Sequence, residues 1–233
     1  AAVQRQWCGR TGKLDNCVMG VHLSYVAEDF QCLLDSDLFL PEDWAKEPGR
    51  RRECYIPEEV VYRPKTEIAQ AQIRRALANG IRVAAWTFDE WYGRDSGFLD
   101  ALEGLGQNYV AEVPVNFTGW LQEPRVLLRP RPQDMRGRGR KRRYPRLARD
   151  ALPACEVRNL ATYSPVFQRQ KWQRFRIKDG ERGPMVWEVK HAAFYRKRRQ
   201  GLPGQTHTLM VARNVLDPAE VKYFVSNQVP APQ

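Results

Sequence analysis

The segment from Thr66 to Val113 constrains the fold most, because two helical patterns and two apolar runs alternate within it. Thr66 is placed to cap a helix running to about Asn79, with Ile68, Ile73, Ala76 and Leu77 on one side and Asn79-Gly80 as its stop. The run Arg82-Val83-Ala84-Ala85-Trp86-Thr87-Phe88 has strand length and ends at Asp89-Glu90. Ser96 can cap a second helix that carries Phe98, Leu99, Leu102 and Leu105 and stops at Gly106, and Tyr109 to Val113 reads as the next strand. Alternation at this spacing predicts a βαβ unit with parallel strands.

The flanks read differently. Residues 16–27 follow the turn-like Arg10-Thr11-Gly12-Lys13, which suggests a hairpin with its first strand at 3–8, and Pro41 suits the first position of a short helix. From Pro124 to Pro153, recurrent Pro, Gly and Arg cannot bury a core, so this stretch reads as a basic loop centred on Arg136 to Arg143. Trp172 to Lys178 and Met185 to His191 then form a predicted hairpin across Asp179 to Gly183. At period two, Phe175 and Ile177 share a face that Trp187 and Val189 can join, while Trp172, Arg174, Arg176, Lys178 and Lys190 share the other. Thr206 to Arg213 and Val221 to Ser226 look like two further strands.

Composition narrows the function. The 233 residues carry a net charge of +11, but residues 1–120 hold 13 Lys+Arg against 18 Asp+Glu and residues 121–233 hold 25 against 9, so −5 and +16 make up the total. The second half carries the polyanion-seeking charge. Hydrophobic residues at 42% exclude wholesale disorder. No apolar run approaches the roughly 20 residues that span a bilayer, and the N-terminus has no apolar block of a signal peptide. A soluble, unexported protein without membrane contact is therefore expected. Five cysteines without a CxxC pair and three scattered histidines support neither a disulfide framework nor a zinc site. The chain opens without Met and breaks off in mid-pattern, as a fragment would.

Asp89 is the candidate catalytic and metal-binding residue. An open sheet of parallel strands puts its crevice at the strands' carboxyl ends, where Asp89 follows the apolar run, and Asp89-Glu90-Trp91-Tyr92-Gly93-Arg94-Asp95 gathers carboxylates in one loop. Mg²⁺ needs oxygen ligands, and two-ion phosphodiester chemistry needs several converging carboxylates. The plainer alternative is a solvated acidic turn. Asp15, Glu90 and Asp95 read as surface or turn residues. Arg94 could contact a phosphate or pair with Asp95 or Glu90.

Arg136, Arg138, Arg140, Lys141, Arg142, Arg143 and Arg146 belong to a stretch with eleven basic residues and one acid between Arg125 and Arg149. Beside the basic face of Arg174, Arg176 and Lys178, they are candidate phosphate contacts, against the alternative of a solvated loop. Trp172 on that face could stack on an unpaired base, whereas Trp187 fits core packing better.

A family resemblance runs through the same residues. Gln4-Arg5-Gln6-Trp7-Cys8-Gly9, Gly12-Lys13-Leu14-Asp15-Asn16-Cys17, Leu40-Pro41-Glu42-Asp43-Trp44, Pro57-Glu58-Glu59-Val60 and Asp89 to Asp95 resemble segments of DDE-type insertion-sequence transposases. Arg174-Phe175-Arg176-Ile177, Trp187 to His191 and Tyr223 to Asn227 continue the likeness. It implies an α/β fold, an RNase H-like mixed sheet with helices interrupted by a basic β-rich insertion. The bounds would be 1–119 for a partial catalytic core, 120–205 for the insertion and 206–233 for strands returning to the core. It also implies cleavage and strand transfer of transposon-end DNA by two Mg²⁺ or Mn²⁺ ions, a homodimer in a synaptic complex with transposon ends and target DNA, and a bacterial cytoplasmic, nucleoid-associated location. Asp89 matches the second of the three acids. The first would precede Ala1 and the third would follow Gln233, so this piece alone is expected to be inactive. Two rivals remain open: a non-catalytic nucleic-acid-binding module, and a nuclease of the same fold that never joins strands.

Overall fold

The structure is a computed structural model that describes residues 1–128, 144–180 and 183–228. Arg136, Arg138, Arg140, Lys141, Arg142 and Arg143 lie outside these described residues. Two compact units divide the chain, Ala1–Val83 and Ala84–Gln233.

In the first unit the expected hairpin is two hairpins. β1 (Gln4–Cys8) pairs antiparallel with β2 (Lys13–Cys17), and β3 (Met19–Ala27) with β4 (Phe30–Phe39). Two short helices follow, α1 (Glu42–Ala45) and α2 (Pro48–Glu53), then the long helix α3 (Lys65–Ala78). Pro41 is the residue before α1 rather than its first residue. Pro64 holds the position before α3, so Thr66 lies inside the helix and is not its cap. The face of α3 that buries Ile68, Gln72, Ile73 and Ala76 docks on the second hairpin, where Gln72 donates to the Val21 carbonyl (2.8 Å) and Arg75 pairs with Asp35 and Asp37. A smaller core gathers Ala2, Leu40 and Trp44 with Ala45, Cys54 and Ile56.

The second unit is built on a mixed sheet with helices, the α/β, RNase H-like class the sequence implies. Its elements are β5 (Trp86–Phe88), α4 (Glu90–Gly93), α5 (Ser96–Gly104), β6 (Tyr109–Val113), β7 (Thr118–Trp120), β8 (Val126–Leu127), β9 (Arg146–Leu147), β10 (Cys155–Glu156), α6 (Val157–Tyr163), α7 (Pro165–Gln168), β11 (Gln173–Gly180), β12 (Gly183–Lys197), β13 (Pro203–Asn214) and β14 (Val221–Ser226). The described strands of the main sheet run in the order β10-β7-β12-β13-β14-β6-β5, with β11 pairing β12. β5 and β6 are parallel, joined through α4 and α5 as the alternation predicts, and the remaining pairs are antiparallel. β5 is shorter than the apolar run suggested, because only Trp86 to Phe88 find partners on β6.

Period-two alternation sets one buried face. Tyr109, Ala111 and Val113 of β6, Tyr223 and Val225 of β14, Leu209 and Val211 of β13 and Phe194 of β12 face inward. Phe98, Leu99 and Leu102 of α5, Val157 of α6 and Phe167 of α7 complete this core. The opposite face carries a shallow apolar groove lined by Trp187, Val189, Met210 and Phe224 among others.

The β11–β12 hairpin departs from simple alternation. Phe175 lies opposite Trp187, as the period predicts, but the register shifts by one residue between Arg176 and Lys178. Lys178 therefore stands opposite Met185, out of row with Arg174 and Arg176. Glu188 stands opposite Arg174 on one side and Arg213 on the other, so the basic face has an acid at its centre.

Gly93 marks the tightest approach of helix to sheet. A Cβ at this position would lie 1.9 Å from the Glu112 carbonyl oxygen on β6, so any side chain must push α4 away. Gly93→Ala should cost about 1–3 kcal/mol from overpacking. A thermal melt that shows no loss of Tm would contradict this packing.

Candidate functional site

Asp89 follows β5 directly and caps α4. Its Oδ1 accepts from the backbone N–H groups of Trp91 (3.0 Å) and Tyr92 (3.4 Å), which leaves Oδ2 with no protein partner among the described residues. Extended backbone at Asp89 and a carboxylate at a helix start are both favourable, so the local sequence fixes the side chain. The carboxylate is exposed. Burial pushes the Tyr92 hydroxyl up, and the nearby Asp89 charge adds to that shift.

The other acids of the loop have structural work. Asp95, rather than Ser96, caps α5, accepting from Gly97 N–H (2.8 Å) and Phe98 N–H (3.2 Å), and it pairs with Arg199 (3.2 Å). Glu90 pairs with Arg94 at 3.7 Å, the plainer of the two roles open to Arg94. Asp15 belongs to the first unit, where it accepts from Asn16 N–H (2.9 Å) and stands 3.9 Å from Lys13.

Sequence reasoning missed the cluster beneath α5. Arg196 of β12 is fully buried. Its guanidinium donates to Ser96 Oγ (2.9 Å), to Glu103 Oε1 (2.8 Å) and to Asp100. Glu103 also accepts from the Tyr109 hydroxyl (2.9 Å) and from Arg198 (2.9 Å), and His207 Nε2 lies 2.9 Å away. Two signals could have marked it. Period two carried on from Phe194 turns Arg196 inward, and Ser96, Asp100 and Glu103 recur at helical spacing on one side of α5. Burial alone would raise the Glu103 carboxyl, but the His207 hydrogen bond and the Arg196 charge overcome it and hold the group at about 2, below its ordinary 4.5.

The expected DNA contacts separate into groups. Trp172 is half-buried, with Lys190 Nζ 4.7 Å and the Arg213 guanidinium 4.3 Å from its ring centre. Arg213 and Arg174 share Glu188, at 2.6 and 2.7 Å, and hold its carboxyl below the usual range. Trp172, Arg174, Lys190 and Arg213 thus form one constellation. Arg176 pairs instead with Asp179 (2.6 Å), Lys178 is exposed, and Arg146 lies half-buried on β9. All five cysteines carry free thiols and are half-buried.

Among the described residues no group of three or more His, Cys, Asp or Glu side chains could hold a metal ion. No described helix is long and apolar enough to cross a membrane. A family model described as DDE superfamily endonuclease matches residues 1–184 of the 233. A search of curated proteins finds no match.

Because the Glu103 carboxyl is lower in the folded unit than in the unfolded chain, its contribution to stability is present above about pH 4.5 and is lost as pH falls toward 2. Acid titration of the folded state should show this loss, and Glu103→Gln should remove that component. An unchanged acid profile in the variant would place the charge pairing elsewhere.

Proposed function

The chain belongs to the DDE superfamily endonuclease family, and from that premise we propose that it is part of a DNA transposase that cuts and joins transposon-end DNA with divalent metal ions, Asp89 supplying one of the acids. The observation that supports this reading is an exposed carboxylate at the carboxyl end of β5, next to a parallel partner, with one oxygen left over after capping α4. Strand ends of this kind are where open α/β sheets bind ligands.

The described residues do not fit a two-ion site by themselves, because no acid cluster accompanies Asp89. Two Mg²⁺ or Mn²⁺ ions would need the further carboxylates that the family chemistry requires. On this reading the chain alone holds DNA and does not cut it. The complete transposase would act as a homodimer on transposon ends and target DNA in the bacterial cytoplasm.

The basic residues would supply affinity rather than sequence recognition. Arg174 is partly neutralised by Glu188 and Arg176 by Asp179, so the larger share of phosphate binding would fall to Arg136, Arg138, Arg140, Lys141, Arg142, Arg143 and Arg146, and a smaller one to Lys178 and Arg94. Trp172 already has Lys190 and Arg213 over its ring, and a base stacking on the side they cover would compete with them.

In the complete transposase, Asp89→Asn should abolish metal-dependent cleavage and leave DNA binding in place. Full cleavage by the variant would remove Asp89 from the mechanism, and cleavage without strand transfer by the unaltered protein would make it a nuclease. Replacing Arg138, Arg140, Lys141, Arg142 and Arg143 with neutral residues should flatten the dependence of log K on log salt, by roughly 0.9 for each phosphate that is no longer neutralised. An unchanged slope would mean that this run does not touch DNA.

A further inference from the structure

The first unit holds a polar pocket of about 260 Å³ where the β1–β2 hairpin meets α1 and α2. Arg5 and Asn16 are cross-strand neighbours on that hairpin and both line it, while α1 contributes Asp43 and Trp44, and α2 contributes Arg50. Trp44 is buried and fixed, since its indole N–H donates to the Val3 carbonyl (2.9 Å). The Arg50 guanidinium lies 3.7 Å from the centre of the Trp44 ring, which holds it without neutralising it. Neither Arg5 nor Arg50 has a carboxylate partner among the described residues.

We infer that this pocket binds a phosphate ester, with Arg5 and Arg50 as the guanidinium pair on its oxygens and the Asn16 amide completing the polar lining. Guanidinium forks match phosphate geometry, and a fork stacked on an aromatic ring loses little freedom on binding. The single carboxylate, Asp43, leaves the site with a net charge of +1, from two arginines and one aspartate. A phosphodiester of the DNA backbone fits that balance, and for this choice of source the inference rests on the DNA reading above. The site would then grip DNA from the acidic half of the chain.

The test uses the whole 233-residue chain. Inorganic phosphate is titrated while the arginine Nε–H signals are followed by NMR, and binding of a duplex oligonucleotide is measured as a function of salt. Phosphate should move the Arg5 and Arg50 signals, and Arg5→Ala, which leaves the Trp44 stack intact, should lower the salt slope of duplex binding by about 1. Signals that stay still, with an unchanged slope in a chain that binds duplex, would overturn the site and leave the DNA reading standing. Moving signals in a chain without duplex affinity would support a site for a free phosphate ester and overturn the DNA reading.

Discussion

A guanidinium wholly removed from water sits where β12 passes under α5, and the architecture of the second unit follows from what it needs. An unpaired charge at Arg196 would be prohibitive in so dry a position. The chain meets the requirement with Ser96, Asp100 and Glu103 from one helix, backed by Tyr109 of β6 and His207 of β13. These groups come from three strands and a helix, so satisfying one charge fixes the seating of all four elements. Removing Arg196 would strand the buried Glu103, a change that in comparable pairs costs about 3–5 kcal/mol. The loop that carries Asp89 leads into that same helix, and Asp95 at its start is tied to Arg199.

Much of this was legible in the residues, and the failures have identifiable causes. The helix ending at Ala78, the strand Tyr109 to Val113 and the strand Val221 to Ser226 follow directly from periodicity and stop signals. Thr66 and Ser96 are reasonable caps by type, yet Pro64 and Asp95 lie nearer the true starts and take the position. Asp89 was findable because a carboxylate at the end of an apolar run is a local pattern. Arg196 is harder to see, because the unbroken run of cations from Arg196 to Arg199 looks solvated until the inward turn given by period two is set beside the carboxylates of a distant helix. The row of Arg174, Arg176 and Lys178 fails at its last member, since strict alternation cannot foresee a one-residue register shift.

The charge asymmetry also takes on a different meaning. Several cations of the basic half are paired with acids inside the fold, Arg174 and Arg213 with Glu188 and Arg176 with Asp179 of the same half, and Arg196 and Arg198 with Glu103 of the acidic half. Formal charge therefore overstates the number of cations that face a partner in the basic half. In the acidic half, Arg5 and Arg50 have no such internal use among the described residues. Partnership within the fold, more than net charge, decides which cations can meet a polyanion.

β12 has a further consequence. This one strand pairs β11 along its first part and β7 near its end, with β13 along most of the other edge. Glu188, which gathers Arg174 and Arg213 near Trp172, and Arg196, which seats α5, are eight residues apart on it, a span of about 26 Å at the usual strand rise. A hydrogen-bonded strand stretches very little. β12 is thus a tie rod, with the aromatic and basic constellation fastened at one end and the anchorage of the acid-bearing loop at the other.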